Sequence, residues 1–222
     1  MIKSYFCKVK TILYIHGMGG GGDSRIPRLL RERFAGTDLR CIVRTYDFDP
    51  EVGRAQIASW VEELQPALVI GESLGAIQAL RVRGIPHLFV SPSLGAPDVL
   101  VRLAWVCKVP GGKALLHRIW RVKEGDRQPL RFEYDILKKY AAHWADAKKV
   151  AAEGGYYYAF FGTRDHYRKS GVVKVSLWEE MFGKTYTIYD GTHFMEEEYV
   201  YALLIPKIHE ILDGPAKVLP GE

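Results

Sequence analysis

The pentapeptide Gly71-Glu72-Ser73-Leu74-Gly75 constrains this chain more than any other feature of the sequence, because of what flanks it. It follows an apolar run at residues 67–70 that is typical of a buried strand, and it opens a helical pattern at 74–82. A serine in a sharp turn between a strand and a helix needs glycine two residues before and two residues after it, since Cβ atoms there collide with neighbouring backbone. The motif therefore predicts a strained turn that holds the Ser73 hydroxyl above the carboxyl edge of a sheet.

Five other apolar, β-rich runs resemble the one before Ser73, and helical patterns separate most of them. The predicted strands are residues 11–15, 41–46, 67–70, 88–90, 156–161 and 185–189. The predicted helices outside the longest connection are residues 25–34, 52–64, 74–82 and 196–212. Alternating strands and helices are typical of α/β proteins, in which a mostly parallel sheet carries helices on both faces. The sequence thus predicts an α/β fold with a sheet of about six strands.

The alternation breaks once, between the fourth predicted strand and residue 156. The intervening segment has two or three helical patterns and a break at Pro110-Gly111-Gly112, and it is too long for a plain connection. We expect a helical cap inserted at residues 96–150, between core segments 1–95 and 151–222. Its tryptophans, Trp105, Trp120 and Trp144, have a spacing that suits a pocket wall and core packing equally well, so they receive no site role.

Two further polar residues, an acid and then a histidine, follow later predicted strands, and α/β folds with a serine nucleophile carry them in that chain order. Asp165 ends the turn Gly162-Thr163-Arg164-Asp165, and His193 ends the loop Asp190-Gly191-Thr192-His193. Because parallel strands meet at one carboxyl edge, we expect Ser73, Asp165 and His193 to lie together as nucleophile, orienting acid and base. Asp190 is an alternative acid, although its position three residues before His193 favours a turn-forming role.

These motifs, together with His16-Gly17 after the first strand, resemble those of the α/β-hydrolase superfamily. The resemblance extends over essentially the whole chain and is greatest to compact bacterial esterase-like serine hydrolases. It implies the α/β-hydrolase fold without the leading hairpin strands of larger members. It also implies that the backbone amides of Met18 and Leu74 form an oxyanion hole.

The resemblance implies a serine hydrolase that cleaves a carboxylic ester or thioester through an acyl-enzyme on Ser73. The expected partner is a small-molecule acyl ester or thioester, and no cofactor or metal is expected. An acyltransferase with the same triad is an alternative, because an alcohol or thiol can replace water after the acyl-enzyme has formed.

The glycine run after the first strand allows a second alternative from another class of protein. Residues Gly17 to Gly22 match G-x-G-x-x-G between a strand and a helix, which is the pattern of a dinucleotide-binding loop. Asp47, near the end of the second predicted strand, supplies an acid for that interpretation. A run so rich in glycine fits almost any glycine template, however, and this alternative leaves the motifs around Asp165 and His193 unexplained.

The formal charge of +5 is concentrated in one part of the chain. Residues 96–150 contain twelve Lys and Arg against six Asp and Glu, an excess typical of a solvated face and able to steer anionic substrates or a membrane surface. It does not indicate nucleic-acid binding.

Three widely spaced cysteines, Cys7, Cys41 and Cys107, and the lack of a long apolar run predict a cytoplasmic protein without integral membrane association. The sequence carries no signal for an oligomeric state.

Overall fold

Residues 9–214, the part of the chain that the computed structural model describes, contain one six-stranded sheet. The strands are β1 (Lys10–Ile15), β2 (Leu39–Val43), β3 (Leu68–Glu72), β4 (His87–Val90), β5 (Tyr157–Gly162) and β6 (Tyr186–Tyr189). Their order is β2-β1-β3-β4-β5-β6, and all neighbouring strands are parallel. The order reverses between β1 and β3, and parallel α/β sheets bind ligands at the carboxyl edge beside such a reversal.

Helices connect the strands and follow the last one. They are α1 (Arg25–Phe34), α2 (Pro50–Leu64), α3 (Gly75–Ala79), α4 (Ala96–Leu103), α5 (Gly112–Ile119), α6 (Tyr134–Ala152), α7 (Val175–Phe182), α8 (Glu197–Tyr199) and α9 (Ile205–Asp213). Helix α2 begins two residues before its predicted start, because Asp49 caps it by accepting from the amide of Glu51 at 3.0 Å and Pro50 suits its first turn. A π-helical turn at Val200–Leu204 joins α8 to α9, where Pro206 has no amide hydrogen to continue the ladder.

The strand side chains alternate between two cores, one on each face of the sheet. Ile12 and Tyr14 of β1 belong to one core, and Leu13 and Ile15 belong to the other. Helices α1 and α9 cover the first face, and α2, α3, α6 and α7 cover the second. Burial on both faces explains why the strands are continuous apolar runs in the sequence. The predicted α/β fold of about six strands, with helices on both faces, is confirmed.

Helix α6, the last helix of the predicted cap, packs into the core of the sheet. Its residues Leu137, Trp144 and Ala147 belong to the same buried cluster as Val69 and Phe89. Residues 120–133, between α5 and α6, form no helix or strand and contact the loop after β1. The division into core segments and a cap at 96–150 stays a prediction.

The state of the cysteines and the apolarity of the helices concern the predicted cytoplasmic location and the predicted lack of integral membrane association. Cys41 and Cys107 are buried and unpaired, and Cys7 lies outside the described residues. No helix within residues 9–214 combines the length and apolarity needed to cross a bilayer.

Three buried histidines are held neutral by their surroundings. Burial lowers the pKa of His16 and of His87 to about 4. Burial, and then the nearby Arg81, lower the pKa of His143 to about 3. Because each imidazole has an ordinary pKa near 6.5, the unfolded chain takes up protons between about pH 6.5 and 4 that the native protein does not bind. Their contribution to stability is therefore complete above about pH 6.5 and decreases as the pH falls.

His87 offers the cleanest test of this pH dependence. It is 1% exposed, and its Nε2–H donates to the Ala79 carbonyl at 2.9 Å. The unfolding free energy of the wild type, measured with urea, should fall between pH 7.5 and 4.5, with about 2 to 3 kcal/mol of the fall due to His87. We expect His87→Leu to remove that share, and His117→Leu, at an exposed position, to retain it. An equal fall in the wild type and in His87→Leu would contradict a neutral, buried His87.

Candidate active site

Ser73 lies in a left-handed turn between β3 and α3, with φ of +51°. Its amide donates to the carbonyl of Val90 at 3.0 Å, which ties the turn to the end of β4. A Cβ at Gly71 would lie 2.8 Å from that of Ala79, and one at Gly75 would overlap the carbonyl oxygens at the end of β1. The two glycines therefore allow α3 to approach β1 and β3 closely enough to form the predicted turn.

Ser73, His193 and Asp165 form a continuous chain of hydrogen bonds at the carboxyl edge of the sheet. His193 Nδ1 lies 2.7 Å from Asp165 Oδ2, and His193 Nε2 lies 2.8 Å from Ser73 Oγ. The Asp165 carboxylate can only accept, so Nδ1 carries the proton and Nε2 accepts from the Ser73 hydroxyl. Asp165 is 3% exposed and His193 is 2% exposed, so solvent hardly weakens this pairing.

The Asp165 carboxylate is held from two sides. Its second oxygen, Oδ1, accepts from the amide of Tyr167 at 2.9 Å. The ring of Tyr167 packs edge-on against His193, with the ring centroids 4.6 Å apart. The short helical turn after Asp165 thus fixes both the carboxylate and the imidazole.

Asp190, the alternative acid, has other partners. It is bound to Thr163, whose hydroxyl donates to Asp190 Oδ1 at 3.0 Å, and it pairs with Arg164 at 3.1 Å. Its side chain is 77% exposed. The structure therefore brings Asp165 to His193 and leaves Asp190 as a turn residue at the surface.

Met18 and Leu74, the predicted oxyanion-hole residues, come directly after Gly17 and Ser73, which lie against each other. Leu74 follows Ser73 directly, and Met18 follows Gly17, where a Cβ would lie 2.9 Å from Ser73 Cβ. Within residues 9–214, no hydrogen bond is formed by the amide of Met18 or of Leu74. Within the described residues, both amides are therefore available as donors.

His16 shapes the loop that carries Met18. It is fully buried and stacks on Tyr46, with the ring centroids 4.4 Å apart, and the Tyr46 hydroxyl donates to the His16 carbonyl at 2.8 Å. His16 Nδ1–H donates to the carbonyl of Gly17 at 2.8 Å. These contacts hold the loop after β1 in place and give His16 a structural position.

The glycine run after β1 is in contact with residues 126–128. A Cβ at Gly21 or Gly22 would overlap Asp126, and the amide of Gly19 donates to Gln128 Oε1 at 3.2 Å. The close approach that these glycines permit is thus to the chain itself. These contacts account for the glycine run, so the run does not require a dinucleotide-binding role.

Two features of the site could not be assigned from the sequence. Ser93, buried in the loop after β4, has its Oγ 3.1 Å from Ser73 Oγ. Glu72 accepts a hydrogen bond from the Tyr14 hydroxyl at 2.9 Å, and burial raises the pKa of the Glu72 carboxyl. The sequence signal for Ser93 was only its place after a predicted strand, whereas Glu72 was visible as a neighbour of the serine without a defined partner.

A cavity of about 540 Å³ opens beside Ser73. The loop after β1, the start of α1, residues 120–130 and Phe194 line it. Trp120 of the predicted cap lies in its wall, whereas Trp144 lies in the core and Trp105 is 60% exposed. No group of three or more side chains suited to holding a metal ion occurs in the part of the chain that is described.

In the α/β hydrolases, a serine lies in a strained turn after a central strand of a parallel sheet, and an acid and a histidine follow later strands. This protein has the same arrangement. The sequence comparison gives the same class. The model of the alpha/beta hydrolase family matches residues 12–211, and the chain belongs to this family. The predicted α/β-hydrolase fold is thereby confirmed.

Solved structures of esterases and lipolytic enzymes share the fold. A carboxylesterase study of the thaumarchaeon Nitrososphaera gargenis provides one, at TM-score 0.60 and 14% identity over 94% of this chain and 93% of that one. A second comes from work on the metagenome-derived lipolytic enzymes LipS and LipT, at TM-score 0.61 and 16% identity over 93% of this chain and 94% of that one. Est1E from Butyrivibrio proteoclasticus, with ferulic acid bound, gives a TM-score of 0.61 at 12% identity over 96% of this chain and 90% of that one. No curated protein matches the sequence.

The Ser93 contact predicts a measurable effect on the reactivity of Ser73. Removing this neighbour by Ser93→Ala takes away one hydrogen bond that fixes the orientation of Ser73 Oγ, a loss worth about 1 kcal/mol. We expect the rate of Ser73 labelling by a fluorophosphonate to fall about fivefold while the unfolding free energy changes by less than about 1 kcal/mol. Ser59→Ala, at an exposed serine of α2, is the control. A labelling rate equal to that of the wild type would remove Ser93 from the site.

Proposed function

We propose that this protein is a serine hydrolase that cleaves a carboxylic ester or thioester through an acyl-enzyme on Ser73. The observation that carries the proposal is the chain of hydrogen bonds from Asp165 through His193 to Ser73, with its 2.7 and 2.8 Å contacts. A serine hydroxyl is a weak nucleophile by itself, and a hydrogen-bonded imidazole base activates it. Membership of the alpha/beta hydrolase family supports the same conclusion.

In the first half of the proposed reaction, His193 Nε2 takes the proton of Ser73 Oγ as the oxygen attacks the acyl carbonyl carbon. The imidazolium that forms is stabilised by the Asp165 carboxylate. The tetrahedral intermediate collapses when Nε2–H protonates the leaving alcohol or thiol. The acyl group is then bound to Ser73 Oγ as an ester.

In the second half, water takes the place of the leaving group. His193 accepts a proton from the water, whose oxygen attacks the acyl carbonyl, and the carboxylic acid leaves as the proton returns to Ser73 Oγ. An acyltransferase would use an alcohol or thiol at this step. The carboxylesterases and lipolytic enzymes among proteins of the same fold favour water.

The negative charge of each tetrahedral intermediate needs preorganised donors. The amides of Met18 and Leu74 are proposed for this role, because both lie next to Ser73 and neither donates within the described residues. Removing one such donor in other enzymes costs about 10²- to 10³-fold in rate. The glycine at position 17 is what lets the Met18 peptide approach the serine.

The expected substrate is a small molecule, and part of the predicted cap contributes to its pocket. The cavity of about 540 Å³ lies within the range of small-molecule sites, and residues 120–130 form one of its walls. We place the activity in the cytoplasm, where buried, unpaired thiols such as Cys41 and Cys107 persist.

The identity of the nucleophile can be tested directly. A fluorophosphonate probe should label the wild type once per chain, on the peptide that contains Ser73, and Ser73→Ala should not be labelled. The variant should also lose hydrolysis of p-nitrophenyl butyrate. Ser176→Ala, which changes a serine of α7, is the matched control and should be labelled like the wild type. Labelling that persists in Ser73→Ala would refute the proposal.

The two acids provide a matched pair of variants. Asp165→Asn leaves the shape of the site nearly unchanged but removes the charge that orients and stabilises His193, so kcat should fall about 10³- to 10⁴-fold. Asp190→Asn removes an exposed carboxylate that, within residues 9–214, pairs with Thr163 and Arg164, and kcat should stay within about twofold of the wild type. The measurement is steady-state hydrolysis of p-nitrophenyl butyrate. A larger loss in Asp190→Asn than in Asp165→Asn would contradict the assignment.

A further inference from the structure

The cavity beside Ser73 has a strongly cationic lining. Among the residues that the structure describes, four side chains of the lining carry a positive charge, those of Arg25, Arg121, Lys123 and Arg127, and a single carboxylate, that of Glu72, lines the cavity with them. Most small-molecule cavities of this size are lined chiefly by apolar groups. The imbalance of charge is therefore a specific property of this site.

Two of the four cations have internal partners. Arg127 pairs with Asp23 at 2.5 Å, and Arg25 donates to the backbone carbonyl of Met195 at 2.8 Å. The Glu72 carboxylate accepts from the Tyr14 hydroxyl at 2.9 Å. Burial raises the pKa of Glu72, and the positive charge of Arg25 partly opposes that rise. These contacts hold one end of the lining in place.

The other two cations are free to bind. Arg121 and Lys123 are exposed, and neither has an ion pair or a hydrogen bond within residues 9–214. Within residues 9–214, neither acid of the same segment forms an ion pair with them: Asp126 accepts from the Thr45 hydroxyl at 2.5 Å, and neither Asp126 nor Glu124 lines the cavity. The segment therefore presents two unpaired positive charges in the wall of the cavity that contains Ser73.

We propose that the substrate of this site carries an anionic group, a carboxylate or a phosphate, that binds Arg121 and Lys123 while its acyl carbonyl lies at Ser73. This inference rests on the proposed function and adds the substrate class to it. A charge in a partly enclosed cavity attracts an oppositely charged group more strongly than the same charge does in bulk water. Both carboxylate and phosphate oxygens accept the hydrogen bonds that a guanidinium and an ammonium donate.

Two pairs of substrates separate the sources of the anion. In the first pair, mono-p-nitrophenyl glutarate carries a carboxylate at the end of the acyl chain, and p-nitrophenyl hexanoate has an ethyl group in its place. In the second pair, the thiol leaving group of butyryl-coenzyme A contains phosphates, and the leaving group of S-butyryl-N-acetylcysteamine contains none. We expect kcat/KM to be at least about tenfold higher for the anionic member of one pair, and the preference to shrink at 0.5 M salt.

Matched variants test which residues cause the preference. Arg121→Gln with Lys123→Gln removes the two free cations of the cavity and should reduce the preference about tenfold. Lys113→Gln with Arg118→Gln removes two exposed charges of α5 that do not line the cavity, and should keep it. Hydrolysis of the neutral esters by both double variants reports that the fold and Ser73 remain functional.

Binding without turnover distinguishes failure of this inference from failure of the proposed function. Glutaric acid monoanilide and hexanoic acid anilide have amide bonds in place of the esters, and isothermal titration calorimetry measures their binding. Tighter binding of the anionic anilide, lost in Arg121→Gln with Lys123→Gln, supports the anion site even where no ester is hydrolysed. Equal binding of the two anilides, or equal kcat/KM within both substrate pairs, would overturn it.

Discussion

The close packing of the Ser73 turn against the end of β1 is the constraint on which the rest of the site depends. Gly75 lies so close to the carbonyl oxygens of Ile15 and His16 that any side chain there would overlap them. Gly17 in turn lies against Ser73 itself. The backbone of the loop after β1 can therefore reach the serine only because both positions lack a Cβ. The positive φ of Ser73 is the local strain that this packing maintains.

The parallel sheet converts this local packing into a chemical arrangement. Ser73, Asp165 and His193 are far apart along the chain, yet each follows a strand that ends at the same edge. The buried carboxylate then imposes one tautomer on His193, which leaves Nε2 free to accept from the serine. The same edge carries the cavity, so the position of the fold's ligand crevice and the position of the proposed chemistry coincide.

Features set by local sequence could be predicted, and features set by the paths of loops could not. Helix α1 has the bounds of the predicted helix at 25–34, because its apolar residues recur at helical spacing and glycine-rich turns flank it. Strand β2 ends at Val43 instead of 46, since Tyr46 leaves the sheet to stack on His16. Helix α3 ends at Ala79 instead of 82, where the amides of Arg81 and Val82 form tighter, three-residue hydrogen bonds.

The candidate site divides in the same way. The turn around Ser73 and the strand-end positions of Asp165 and His193 follow from motifs with a physical reason for each residue. The approach of Ser93 to Ser73 depends on the loop after β4, and the place of Arg121 and Lys123 in the cavity wall depends on the path of residues 120–133. Neither path has a periodic signal in the sequence, because a connection without helix or strand is determined by its tertiary contacts.

A rapid-quench experiment detects whether Ser73 becomes covalently acylated during turnover. The enzyme is mixed with excess p-nitrophenyl butyrate, quenched in acid within milliseconds, digested and analysed by mass spectrometry, while the release of p-nitrophenol is followed in parallel. We expect a butyryl group on the peptide that contains Ser73, formed as fast as the first equivalent of p-nitrophenol is released. Turnover of the ester with no acylated Ser73 at any quench time, or with the butyryl group on another residue, would contradict it.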